Sequence, residues 1–238
     1  MSLLVPSRRF DPDVPEMMDR RGNDAELLRA DLDVLETINR FLGGRRIVLG
    51  WLDEVLVSAP ESRVSVLDLA TGGADVPRAI AQWARPRRVR VEITAVDANP
   101  EILTIARERC ASWPEIRIEA RDLLALPYPA ASFDVVLCSL ALHHFSEANV
   151  VAILRRIRDI ARAGYVINDL RRNRVAVGLS KLMARTVIHN PIARFDAPAS
   201  CERAFSVAEL RVMAAQAGLR NFVIRRHRFF RMAIAGRK

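Results

Sequence analysis

Lysine is nearly missing from this chain: Lys181 and Lys238 are the only two among 37 basic residues. A formal charge of +9 would otherwise invite a phosphate-bearing partner, because clustered cations attract polyanions over long range. A skew toward arginine is what a GC-rich genome produces without selection for binding. The arginines are also scattered in short clusters, at Arg85–Arg90, Arg155–Arg162, Arg171–Arg174 and Arg225–Arg231. They read as solvated helix faces and loop ends, which disfavours nucleic acid as a partner. Cysteine is scarce too. Cys110, Cys138 and Cys201 stand far apart with no C-x-x-C pair, so neither a disulfide framework nor a zinc cluster is indicated and no metal is expected. No apolar run approaches the roughly 18 residues that span a bilayer, and Met1–Arg8 lacks a charged start followed by a long apolar stretch. A cytoplasmic protein is the expectation.

What is present is ample apolar content, 50% of 238 residues, enough for one α/β domain with a modest extra segment. Pro6, Pro12, Pro15 and Gly22 mark residues 1–22 as an irregular arm crossing the surface. Leu27, Leu28, Leu32, Leu35, Ile38, Phe41 and Leu42 then recur at helical spacing, with Asn23 or Asp24 as N-cap and Gly43-Gly44 as stop. A second helix is predicted over Arg45–Val57 and carries Trp51. These segments form an expected N-terminal arm and helical lid, 1–59, ahead of a main domain, 60–238, with a substrate-side helical insertion at about 172–205.

After Pro60 strands and helices alternate, which argues for a parallel sheet covered on both faces. Strands are predicted over Val64–Ala70, Val89–Val96, Ile116–Ala120, Phe133–Ser139 and Tyr165–Leu170. Helices are predicted over Ala74–Ala84, Pro100–Ser112, Glu147–Ala163, Arg174–Ile188 and Ser206–Ala217. Two terminal strands, Asn221–Arg226 and Phe229–Ala235, bring the sheet to seven.

Three strand ends carry aspartates. In Val66-Leu-Asp-Leu-Ala-Thr-Gly-Gly-Ala-Asp75, small residues at the strand-to-helix junction let a ligand approach the backbone, and Asp68 can accept from an ammonium or hold the loop. Asp97 ends the second strand, where a carboxylate can take both ribose hydroxyls of an adenosine. Asp122 follows the third, placed to accept from an adenine amino group with the Leu123 amide beside it. Each aspartate alone reads equally well as a solvated loop carboxylate; three at successive strand ends with a small-residue turn are harder to dismiss.

At these residues the chain resembles the class I S-adenosylmethionine-dependent methyltransferases, in the branch with ubiquinone/menaquinone C-methyltransferases and many small-molecule O-methyltransferases. The likeness covers about residues 60–170, including Phe133-Asp-Val-Val-Leu-Cys-Ser-Leu-Ala-Leu-His-His-Phe145 and Ala163-Gly-Tyr-Val-Ile-Asn-Asp-Leu-Arg171. It implies a Rossmann-like, doubly wound, mostly parallel seven-stranded sheet with S-adenosylmethionine over the strand ends and S-adenosylhomocysteine as product. The implied cofactor residues are Asp68, Ala70, Thr71, Gly72, Asp97, Ala98, Asp122, Leu123, Ser139 and Leu140. One departure stands out: the usual G-x-G-x-G reads Ala70-x-Gly72-x-Ala74.

Methyl transfer from a sulfonium is an in-line displacement, so the protein aligns nucleophile and methyl and, for a hydroxyl acceptor, removes a proton. His143 and His144 are the candidate bases, with His144 preferred; a helix-capping or packing role is about as good a reading for either. Asp169, Arg171, Phe195, Asp196, Ser200 and Arg203 are candidates for the substrate side, together with His189. Arg203 pairing with Asp169 or Asp196 is the plainer alternative. Met17, Met18, Asn39 and Trp51 are candidates for a water-excluding lid, with a core role for Trp51 as the safer reading. A small molecule, first an aromatic hydroxyl, is the expected acceptor. A homodimer is left open.

A nicotinamide dehydrogenase would carry an intact G-x-G-x-x-G, and a DNA or glutamine amino-methyltransferase an Asn/Asp-Pro-Pro-aromatic motif where Ser139-Leu-Ala-Leu stands. Methylation of a quinone carbon or of RNA, or cofactor binding without turnover, stay open as alternatives.

Overall fold

Side chains alternate between two apolar layers along each central strand, and this places the sheet in the middle of the molecule. In β1 (Arg63–Leu69), Val64 and Val66 point to one layer while Leu67 and Leu69 point to the other. The computed structural model describes residues 5–56 and 63–238. Beside β1 lie β2 (Arg90–Asp97), β3 (Ile116–Ala120), β4 (Phe133–Ser139), β5 (Ala161–Leu170), β6 (Phe222–His227) and β7 (Arg231–Arg237). The sheet order is β3-β2-β1-β4-β5-β7-β6, parallel through the first five and antiparallel at β7. This is the Rossmann-like arrangement expected. The order in which strands are added reverses between β1 and β4, so a crevice opens at their C-terminal ends.

Helices cover both faces. α3 (Asp75–Ala84), α4 (Pro100–Cys110) and α2 (Gly44–Leu56) bury Ile80, Trp83, Ala106 and Leu52 on the Val64/Val66 side. α5 (Glu147–Ile160) and α8 (Val207–Gln216) bury Ile153, Leu154, Ile157 and Leu210 on the other. Truncating such a buried Ile or Leu to Ala costs about 2–5 kcal/mol. Asp24 caps α1 (Ala25–Phe41) by accepting from Glu26 and Leu27 N–H, and Gly43, at φ +90°, breaks it from α2.

The two N-terminal helices do different jobs. Trp51 of α2 belongs to the core: a Cβ on Gly164 of β5 would lie 2.9 Å from its ring, so the indole packs on bare backbone. α1 lies over the turn after β1, with Leu32 Cβ 3.5 Å from where a Gly73 Cβ would stand. The predicted end of the second helix at Val57, and a boundary at 59, fall outside the described residues.

The sequence pattern predicts no separate helix over 191–203. Within the helical insertion expected at about 172–205, α7 (Pro191–Arg203) follows α6 (Arg174–Thr186). Pro191 sits at its first turn and Asn190 caps it, accepting from Ile192 and Ala193 N–H. The interior Pro198 masked it, although a single proline only removes one helical hydrogen bond when packing holds the rest.

Candidate functional site

The turn after β1 is built from left-handed backbone: Ala70, Gly72 and Ala74 have φ of 53°, 54° and 56°. Two of the three carry a Cβ where glycine costs nothing, at about 1–2 kcal/mol each. What holds the turn is β2. Thr71 N–H donates to Val96 O over 2.9 Å, and Gly72 N–H to Asp97 Oδ2 over 3.0 Å. The other oxygen, Asp97 Oδ1, accepts from Asn99 N–H at 3.0 Å. A carboxylate has about four lone-pair sites, so Asp97 keeps acceptor capacity for two hydroxyl donors. Burial pushes its pKa up, against the pull of the Asn99 and Gly72 N–H groups. Asp68 is more enclosed; burial, with Asp75 and Asp97 nearby, pushes its carboxyl up to about 7.

Neighbouring strand ends complete the row. Asp122 accepts from Leu124 N–H at 2.9 Å and caps a short turn; it is exposed, Leu123 is buried and Ala98 is exposed. At the end of β4, Leu140 is left-handed, φ 55°, and its N–H donates to Asn168 O on β5 over 2.8 Å. Ser139 Oγ and both polar side-chain atoms of Asn168 are buried without a hydrogen-bond partner among the described residues. Orphaned buried polar atoms at the ends of β4 and β5 fit a missing polar ligand. These residues suit the adenosine and amino-acid parts of S-adenosylmethionine.

The two histidines are oriented by carboxylates. His143 is buried, with Nδ1 2.7 Å from Asp169 Oδ1, while its own N–H donates to Asp169 Oδ2. His144 Nδ1 lies 2.6 Å from Asp19 Oδ2. Each Nε2 therefore faces the same group, Glu16, at 4.0 Å from one of its oxygens. Burial works against charge on His144, but Glu16 and Asp19 outweigh it and hold the imidazole up at about 9. An imidazole held that high favours its charged form at neutral pH, which weighs against His144 as the base. Burial raises Asp169, but His143 and the Leu170 N–H pull it below the ordinary carboxylate value.

Three of the substrate-side candidates hold the N-terminal arm. Asp196, Ser200 and Arg203 line one face of α7 at spacings of four and three residues. Asp196 accepts from Met17 and Met18 N–H at 2.7 and 2.9 Å. Ser200 Oγ donates to Glu16 Oε2 at 2.7 Å, while Arg203 stands 3.5 Å from Glu16 Oε1 and donates to Val14 O. Arg203 thus pairs with Glu16, not with Asp169 or Asp196. Asp169 is occupied with His143; the backbone N–H of Arg171 donates to Phe230 O, and its side-chain Nε is buried without a hydrogen-bond partner among the described residues. Phe195 is exposed beneath the Arg20 guanidinium, and His189 is exposed. Glu16, Asp19 and Asn168 were not among the sequence candidates. Asn39, a lid candidate, is buried between Asp75 and Arg231.

A groove of about 700 Å³ opens elsewhere, between α2 and the β6–β7 hairpin, lined by Arg46, Trp51, Val223, Arg225, Phe229 and Ala233. None of the strand-end residues lines it.

Residues 66–164 match the model of a methyltransferase domain. A demethylmenaquinone methyltransferase of Deinococcus radiodurans is 33% identical over 143 residues, 57% of this chain and 55% of that protein. A ubiquinone/menaquinone biosynthesis C-methyltransferase of Rickettsia akari is 26% identical over 42% of this chain and 41% of its own length. The chain thus spans about half the length of the curated relatives it matches. Among solved structures, human N-acetylserotonin methyltransferase in complex with SAM superimposes with a TM-score of 0.64 at 18% identity, over 90% of this chain and 56% of that one. A SAM-dependent methyltransferase of Aquifex aeolicus gives 0.56 at 14% identity, over 96% and 99%. No described helix is long and apolar enough to cross a membrane.

Proposed function

We propose, for a chain that stands among the class I S-adenosylmethionine-dependent methyltransferases by its matched domain and its fold, that it transfers a methyl group to a small phenolic or hydroquinone acceptor. The observation that carries the cofactor assignment is Asp97, anchored by Gly72 and Asn99 N–H and still able to accept from two hydroxyls. The cofactor supplies an electrophilic methyl on its sulfonium. Asp97 takes the ribose, Asp122 and Leu123 the adenine edge, and Asp68, Ala70, Thr71, Gly72 and Ala98 shape the turn beneath. Ser139, Leu140 and Asn168 line the reactive side.

An acceptor oxygen must lose its proton before or during transfer. His143, His144 and Glu16 form the polar cluster nearest the end of β4 that can deal with a phenolate. His144, charged at neutral pH, favours the ionised acceptor by electrostatics and does not serve as the base. Residues 5–41 with α6 and α7 act as the cover that keeps water out, whereas α2 packs on the sheet as part of the core.

Oxygen is our first acceptor atom. Ring carbon is the second reading, favoured by the names of the relatives that match, and the two share one chemistry because a phenolate is nucleophilic at oxygen and at ortho carbon. Incubation with S-adenosylmethionine and a panel of catechols, resorcinols and naphthohydroquinones, with product NMR, decides. An O-methyl signal supports the first reading and a C-methyl signal the second. No transfer to any phenol, with S-adenosylhomocysteine binding intact, would sink the acceptor class.

A further inference from the structure

Glu16, His143 and His144 each offer one ligand atom, and these atoms lie within 4.8 Å of one another. We propose that they form a site for a divalent transition-metal ion, which fastens the N-terminal arm to the end of β4. Three independent features support a binding site over a chance meeting of side chains.

The first is orientation. Metal-bound imidazoles generally donate their second nitrogen to a carboxylate, which sets the tautomer and aims the ligating atom. Here both do so: His143 Nδ1 to Asp169 at 2.7 Å and His144 Nδ1 to Asp19 at 2.6 Å, leaving each Nε2 toward Glu16. Glu16 is itself supported by Ser200 Oγ. The second is an orphan: Glu16 is 1% exposed, and its Oε1 has no hydrogen-bond partner among the described residues. The third is charge. Three carboxylates, Glu16, Asp19 and Asp169, stand around the two imidazoles, with Arg203 3.5 Å from Glu16 Oε1, and a divalent cation on both Nε2 atoms takes the place of the imidazolium proton that otherwise answers them.

Two imidazoles and one carboxylate select among ions. Hard cations such as Mg²⁺ prefer all-oxygen shells, whereas Mn²⁺, Fe²⁺, Co²⁺ and Zn²⁺ accept this set. Bonds of about 2.0–2.2 Å put neighbouring ligand atoms about 3.0–3.5 Å apart, so the three side chains must close by roughly half an ångström to one ångström from their 4.0 Å separations. Three protein ligands leave at least one position open, and His144, at 17% side-chain exposure, is the ligand that touches solvent. The open position suits the ionised oxygen of an acceptor; that role rests on the methyl-transfer reading, whereas ion binding does not.

The test is titration of untagged, EDTA-treated full-length protein at pH 8 with Co²⁺, followed by calorimetry and visible absorption, with Zn²⁺ and Mg²⁺ in parallel. One Co²⁺ per chain with visible bands, and Zn²⁺ but not Mg²⁺ competing, is expected. Glu16→Gln and His144→Gln should each weaken Co²⁺ at least about tenfold, and Asp19→Asn about 10-fold to 100-fold through the imidazole it orients. Cys110→Ser and Cys201→Ser should change nothing. Absence of saturable Co²⁺ or Zn²⁺ binding at about 100 μM, or wild-type affinity in both Glu16→Gln and His144→Gln, overturns the proposal. So does loss of binding in a cysteine variant, or Mg²⁺ competing equally. A circular-dichroism melt of each variant establishes folding, with Asp19→Asn as the mildest change. S-adenosylhomocysteine titrated into the same samples reports separately on the strand-end site, so either reading can fail alone.

Discussion

The carboxylate of Asp196 receives the backbone N–H of Met17, 179 residues away in sequence, over 2.7 Å. With the bond from Met18 it satisfies two amides of a segment that has little regular structure of its own. Asp196→Ala removes both acceptors at about 1–3 kcal/mol. The arm should detach before the body unfolds. Trypsin is expected to cut at Arg20 and Arg21 several-fold faster than in the wild type, with a small change in Tm; unchanged cleavage would show that the arm is held by other contacts.

Asp97→Ala should weaken S-adenosylhomocysteine by roughly 1.5–3 kcal/mol, about tenfold or more in Kd, because ribose hydroxyls lose a charged acceptor. Calorimetry on the folded variant measures it. Equal affinity in the two proteins moves the ribose elsewhere.

Asp68 predicts a pH dependence. Burial pushes its folded pKa up to about 7 from an ordinary 3.8, so the folded state holds the extra proton in between. A raised carboxyl makes stability fall as pH rises through that window, and the fall ends above about 7. Denaturant melts should therefore show a negative slope between pH 4 and 7 that is shallower in Asp68→Asn. Parallel curves for both proteins would rule the group out as its source.

Ala70 stands left-handed at φ 53° and is only half-buried, so Ala70→Gly relieves strain with little lost packing. A gain of about 0.5–1 kcal/mol is expected after the larger chain entropy of glycine is set against it. For a chain this size that raises Tm by a few degrees. Ala74, also left-handed but fully buried, gives up core contact as well and should gain less.

His144→Ala should lower turnover on a phenol by about 100-fold or more while leaving S-adenosylhomocysteine affinity nearly unchanged. Steady-state rates across pH separate charge from proton removal. Near-wild-type turnover at pH 7 would mean alignment alone suffices.

Local pattern made most of the body legible. β3 and β4 have the bounds predicted from their apolar runs, and Asp24 caps α1 because a short acidic side chain before a helical stripe can do little else. Strand ends were readable because small residues and aspartates cluster there for one physical reason, backbone approach to a ligand. The acceptor side was not. Asp196, Ser200 and Arg203 share a face of α7, but nothing local tells that the face meets residues 14–18 instead of a substrate. Glu16 sits among prolines and charges, where a glutamate is ordinarily solvated, and only tertiary structure reveals that it is buried.

That arm has a kinetic meaning as well. Contacts between residues 14–18 and α7 close a loop of nearly the whole chain, and such long-range pairings form late. A refolding molecule regains its sheet and helices while Glu16 is still in water, and the last cooperative unit to dock is the first to reopen. Recovery of Glu16 burial should therefore lag the far-ultraviolet signal, giving this protein a population that is folded by every spectroscopic measure and not yet complete.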